Sequence, residues 1–195
     1  MSTWLGRSYI LGIALVCTTY AVIHTYPFWL QTSVPHYFGT LLYHAESSRE
    51  VAVATAQLFS MPPADSIDIP VLHVSRAAIV DTFGQPRGTD RTHEGTDIFA
   101  PRGTYIRSAT PGIVLHIGQG TLGGNLIFIL GPGGERYYYA HLDTIDPVLA
   151  VGQYVSTTTL LGTVGTTGNA VGTPPHLHFG IYGPTGAVNP YERLR

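Results

Sequence analysis

The chain has 195 residues, with 10 Lys+Arg against 12 Asp+Glu, a formal charge of −2 and only 11 % charged side chains. That balance excludes a nucleic-acid binder, which needs a clustered basic face to neutralise phosphates, and an acidic disordered tail. A single cysteine, Cys17, excludes an internal disulfide and a cysteine metal cluster, so any metal site must be built from histidine and carboxylate.

In chain order, the first feature is the uncharged segment 8–30, whose densest apolar part is 9–23. A bilayer-crossing helix needs about 20 largely apolar residues, and a signal peptide needs about 7 to 15 followed by a small-x-small cleavage site. Thr19-Tyr20-Ala21 is a poor cleavage site, and Val16 before Cys17 argues against a lipoprotein signal. Arg7 precedes the segment, and Tyr26, Phe28 and Trp29 give its far end an interfacial character. The expectation is an uncleaved N-terminal membrane anchor over residues 1–30, with a cleaved signal peptide as the alternative. Both send the remainder across the membrane. Residues 31–66 read as a juxtamembrane helix, with helix-permissive composition over 41–59, followed by the linker Met61-Pro62-Pro63-Ala64-Asp65.

The folded domain is expected over 67–195. Its 23 Gly and 14 Pro are counts for the whole chain, but they suit short strands and tight turns better than a helical bundle. Apolar runs at 112–117, 125–130, 136–142, 160–164 and 176–182 alternate with turn residues, and Gly131-Pro132-Gly133-Gly134 reads as a hairpin connector. The fold class is mainly β, an antiparallel sheet.

Nine histidines in so charge-poor a chain point to chemistry. Three segments stand apart. In His93-Glu94-Gly95-Thr96-Asp97, Gly95 can turn the chain so that His93 and Asp97 face one point before a strand begins. In Tyr137-Tyr138-Tyr139-Ala140-His141, strand alternation places Tyr137, Tyr139 and His141 on one face. In His176-Leu177-His178-Phe179, both histidines share a face and Leu177 and Phe179 turn to the core. Two histidines and one aspartate suit a catalytic zinc, because three protein ligands leave the fourth position to water. The remaining two histidines can serve that water. Each segment alone is weak, since a histidine on a strand is more often a hydrogen-bonded structural residue. His93-Glu94-x-x-Asp97 also approaches the H-E-x-x-H zinc helix with Glu94 as base, but Gly95 inside it and the β-rich residues at once after it argue against a helix. His24, His36, His44, His73 and His116 have no partner pattern and read as structural.

Together these segments resemble the lysostaphin-type (LytM-like) zinc metallopeptidases, which hydrolyse peptide bonds of bacterial peptidoglycan. The likeness covers roughly 81–195 and includes Phe83-Gly84, Ala100-Pro101-Arg102-Gly103-Thr104, Gly152-Gln153-Tyr154-Val155, Gly162-Thr163-Val164-Gly165 and Thr167-Gly168-Asn169. It implies a β-rich metallopeptidase domain with a central groove, one zinc per chain on His93, Asp97 and His178, and His141 and His176 as the catalytic pair. The implied activity is endopeptidase cleavage of cross-link peptides, in a groove lined by glycines such as Gly123, Gly124 and Gly172 and by the Tyr137/Tyr139 face. Two other readings are a zinc-free activator or scaffold for wall hydrolases and a peptidase acting on proteins. All five His and Asp positions are retained, which favours the enzyme. With the anchor, the resemblance implies a single-pass protein of the inner membrane with its catalytic domain in the periplasm, acting on a wall peptide. Three departures from the pattern are Tyr105 for a proline after Gly-Thr, Thr158 where glycine is common in a turn, and an arginine displaced by Pro86 to position 87.

Overall fold

The computed structural model describes residues 45–195, with the side chains of its first helix from Arg49 onward. The expected anchor and the first part of the segment after it lie outside the described residues. Among the described residues no helix is long and apolar enough to cross a membrane.

Helix α1, Ala45–Ser60, carries four Ala and no Gly or Pro and stops where Pro62 disfavours helical backbone at Met61, whose amide closes the last turn on Gln57 O. Its end is built into the sheet. Leu58 packs with Ile113 and Leu130, and the rings of Phe59 and Pro63 lie where side chains on Gly134 and Gly133 would otherwise stand. The helix therefore ends packed against the sheet.

From Ile67 onward the chain is strands and turns. A two-stranded ribbon pairs β1 (Pro86–Arg87) with β2 (Arg91–Thr92). The remaining strands are β3 (Thr96–Phe99), β4 (Tyr105–Arg107), β5 (Gly112–Gly120), β6 (Gly124–Leu130), β7 (Arg136–Ile145), β8 (Tyr154–Val155), β9 (Leu160–Val164), β10 (His176–Gly183) and β11 (Gly186–Val188). They form a nine-stranded antiparallel sheet along the path β11-β10-β7-β6-β5-β8, with β3 on β10 and the β4-β9 pair joined through β7. The expected apolar runs all fall on strands, and Pro132–Gly134 forms the tight turn between β6 and β7.

Strand β10 positions the site. One edge pairs with β7, and the other pairs first with β3 and then with β11. Because side chains alternate, Leu177, Phe179 and Ile181 enter the core fully buried, each worth roughly 1.5–3 kcal/mol of burial. The intervening His176 and His178 are left on the opposite face. A one-residue slip would exchange the two sets, so core burial sets the register of the histidines.

Strand β7 departs from simple alternation. Asn125 pairs with Leu142 but Ile127 pairs with Tyr139, so β7 carries one extra residue at Ala140-His141, and His141 sits at φ 65°. Tyr137 and Tyr139 are consequently fully buried in the core, while His141 turns to the other face. The expectation that all three share the groove face is corrected by this bulge. Tyr138 takes the groove side, edge-on to His178 at a ring separation of 5.7 Å.

Thr158 carries no strain, since His73 and His141 are the described non-glycine residues with positive φ. Its turn is closed by hydroxyl contacts among Ser156, Thr158 and Thr159. The C-terminal segment is tied back to the domain entrance. Ile67 exchanges backbone hydrogen bonds with Arg193 and Arg195, and the Arg76 guanidinium donates to Leu194 O and Tyr191 O while lying over the Tyr191 ring.

Candidate metal centre

Three elements deliver the site. The loop between β2 and β3 carries His93, β3 carries Asp97, and β10 carries His178 directly across from Asp97 in register. The segment from His93 to Gly95 is not helical, in agreement with the rejection of an H-E-x-x-H helix. Gly95 matters through close approach rather than a special φ. A side chain there would meet Phe179 O at 2.6 Å and His178 Cε1 at 2.7 Å.

The donor atoms converge. His93 Nε2 lies 2.8 Å from His178 Nδ1 and 3.0 Å from Asp97 Oδ1, and His178 Nδ1 lies 3.2 Å from the same oxygen. His93 Nδ1 faces the carbonyl of Thr82 at 2.7 Å. A carbonyl only accepts, so Nδ1 carries the proton and Nε2 presents a lone pair to the cluster. A tetrahedral zinc with bonds of about 2.0–2.2 Å would hold its ligand atoms about 3.3–3.5 Å apart, so the three donors need to spread by only a few tenths of an ångström. Two imidazole nitrogens and a carboxylate oxygen around one point are the donor set of a catalytic zinc with an open position, and the residues fit the metal.

Electrostatics agree with this arrangement. Burial alone would raise the Asp97 carboxyl, but hydrogen bonds and charge from His178 and His93 outweigh it and hold the group far below the ordinary carboxylate range. Burial pushes His178 down. Both shifts favour the deprotonated forms that bind metal. Arg87, from the ribbon, forms an ion pair with Asp97 Oδ2, and the Thr82 hydroxyl accepts the Asp97 amide at 3.0 Å.

The remaining two histidines flank the cluster. His176 Nε2 is 4.0 Å from Asp97 Oδ1, and its Nδ1–H donates to Pro174 O at 2.8 Å. His141 Nδ1–H donates to Thr167 O at 2.9 Å, and its ring is 5.0 Å from that of His176 and 5.8 Å from that of His178. Each is therefore held in the tautomer that leaves Nε2 as the free acceptor. Burial first, then the charges of His178 and His176, lower His141 to about 4, against the opposing pull of the Thr167 carbonyl.

All five expected site residues are thus brought together. His73 and His116 are not part of the group, and His24, His36 and His44 lie outside the described residues. Sequence reasoning missed Thr82 and Thr167, whose backbone carbonyls orient histidines, because a main-chain acceptor leaves no mark in a motif. Arg87 was visible but had no assigned partner.

Comparison with known proteins agrees with this geometry. The catalytic domain of the antimicrobial peptidase lysostaphin from Staphylococcus simulans superposes with a TM-score of 0.51 at 30 % identity, covering 57 % of this chain and 87 % of that one. A zinc-containing peptidase from Vibrio cholerae superposes with a TM-score of 0.51 at 27 % identity, covering 63 % of this chain and 38 % of that one. The Bacillus subtilis protein named L-Ala–D-Glu endopeptidase is 38 % identical over an alignment 125 positions long, and the match covers 58 % of this chain and 38 % of the relative. The chain thus spans well under half the length of that relative. The model of Peptidase family M23 matches residues 91–190, more than half of the chain, and the chain belongs to that family.

Proposed function

We propose that the protein is a zinc-dependent endopeptidase that hydrolyses cross-link peptides of bacterial peptidoglycan. The observation that carries the reading is the convergence of His93 Nε2, Asp97 Oδ1 and His178 Nδ1 at 2.8–3.2 Å, with two further histidines alongside that present free Nε2 atoms. Family membership and relatives named as endopeptidases support the same reaction class.

When bound on His93, Asp97 and His178, zinc supplies a Lewis acid for the scissile carbonyl and acidifies a water. The chain's own residues do the rest. The Thr82 carbonyl fixes the His93 ring by accepting its Nδ1–H, and the Pro174 and Thr167 carbonyls do the same for His176 and His141. One Nε2 of the pair accepts the proton of the attacking water and, as Nε2–H, passes that proton on to the leaving amine, so the proton taken from water is the one the amine receives. The lowered His141 keeps its ring neutral at pH 7 and ready to accept.

The scaffold reading is disfavoured, because a non-catalytic domain has no need of a converged donor set with two oriented acceptors beside it. For location we propose an inner-membrane protein held by residues 8–30 with the domain in the periplasm, a reading that rests on the sequence alone. The test of function is incubation of the purified full chain with isolated peptidoglycan, with and without a zinc chelator. Release of soluble wall fragments that the chelator abolishes and zinc restores is the expected result. Chelator-insensitive release, or none with zinc bound, contradicts the proposal.

A further inference from the structure

The two oxygens of Asp97 face different partners. Oδ1 points into the donor cluster, 3.0 Å from His93 Nε2 and 3.2 Å from His178 Nδ1, while Oδ2 accepts from Arg87 Nη2. Asp97 is buried, whereas the Arg87 side chain is 40 % exposed, so the guanidinium reaches inward from the surface to a buried carboxylate. The ribbon that carries Arg87 also carries the metal-site loop. Gly84 donates to His93 O, His93 donates to Gln85 O, and Pro86 and Arg87 then pair with Thr92 and Arg91. Arg87 and His93 are therefore delivered by one hydrogen-bonded stem, and Thr82 at its base receives both the His93 Nδ1–H and the Asp97 amide.

We propose that Arg87 is a positioning residue that holds Asp97 as a one-oxygen metal ligand. A free carboxylate beside a divalent cation can turn both oxygens to it and occupy an additional coordination position. Engaging Oδ2 in a charge-assisted hydrogen bond prevents that turn and leaves the position available to water. The guanidinium meets Oδ2 while both imidazoles meet Oδ1, so it restrains the carboxylate without entering the donor set. This inference rests on the metal reading above.

Cobalt(II) tests it with a readout independent of turnover, because its visible spectrum reports coordination number. The full metal-free chain is titrated with cobalt(II) as wild type, Arg87→Met, Arg87→Gln and Arg87→Lys, with far-UV circular dichroism to confirm folding. The wild type is expected to take up one cobalt with the intense long-wavelength bands of a four-coordinate site. Arg87→Met is expected to give weaker bands at shorter wavelength, as the freed oxygen adds to the metal, and Arg87→Lys to restore the wild-type spectrum by keeping a cation on Oδ2. Arg87→Gln, uncharged but polar, gives the same change in kind as Arg87→Met and carries the test if the methionine variant does not fold. Folded Met or Gln variants with the wild-type spectrum overturn the role of Arg87 and leave the metal reading standing. Failure of the wild type to bind cobalt overturns both.

Discussion

His141 and His176 face one another with ring centroids 5.0 Å apart and planes inclined at 67°, each with its Nδ1–H committed to a backbone carbonyl. Neither ring is free to exchange tautomers without losing a hydrogen bond worth about 1 kcal/mol. The pair is thus pre-set with two Nε2 acceptors beside the carboxylate and imidazoles of the metal centre. His141→Ala and His176→Ala are expected to keep about one zinc per chain but lose roughly 10²–10⁴-fold in rate, the usual contribution of a general acid or base. Metal analysis and wall-fragment release on the same preparations check both halves. Loss of zinc in either variant would make these residues ligands instead.

Glu94 gives the contrasting case. Its carboxylate accepts a hydrogen bond from Tyr182, which places it in a structural contact rather than beside the donor cluster. Glu94→Gln is expected to change the rate by less than about threefold, within the effect of weakening a single hydrogen bond. If it abolished turnover with metal retained, the base would be Glu94 and the roles of the two histidines would have to be withdrawn.

Removal of a ligand should act differently from removal of the flanking pair. His178→Ala deletes the Nδ1 atom that meets both His93 and Asp97, leaving two donors where three converge. It is expected to lose metal and activity together, as measured by elemental analysis after dialysis against a weak chelator. Stoichiometric zinc in that variant would contradict the ligand assignment.

Gly95→Ala tests the close packing beneath the site. The new methyl would overlap Phe179 O and the His178 ring, both held by the β3-β10-β7 ladders. The expected cost is about 1–3 kcal/mol of stability, read from chemical denaturation, together with weaker metal binding as His178 is displaced. An unchanged midpoint and unchanged metal affinity would show that the loop yields freely.

The metal-free protein should weaken in mild acid. His141 is lowered to about 4 from the ordinary histidine value near 6.5, and His178 is lowered as well, so between these limits the unfolded chain binds more protons than the native one. Stability then falls as pH falls through that window, by on the order of 3 kcal/mol for His141 alone. The depressed Asp97 continues the loss at lower pH, as it becomes protonated in the unfolded chain first. Melting temperatures of the metal-free chain from pH 8 to 4 check the sign. A flat profile between pH 7 and 4.5 would contradict it.

Period two made it legible that His176 and His178 share one face once Leu177 and Phe179 are assigned to the core, whereas the choice of His93, Asp97 and His178 as the ligands came from the family resemblance. The strand order was not legible, since the pairing of β10 with both β3 and β7 is a long-range choice with no local signature. The alternation rule failed at His141 because one inserted residue reverses the face of everything beyond it, and Tyr137 and Tyr139 were misplaced with it. Nothing in the composition of residues 45–60 separates a free helix from one whose Leu58 closes a small core against Ile113 and Leu130.

The central claim is tested most directly by mass spectrometry of muropeptides after digestion of purified peptidoglycan with the full chain, with His176→Ala as the control. Cross-linked dimers are expected to fall and intact monomers to rise, with glycan strands unbroken, for the wild type and not for the variant. Persistence of dimers with casein cleaved instead, or stems trimmed internally with cross-links untouched, would contradict it.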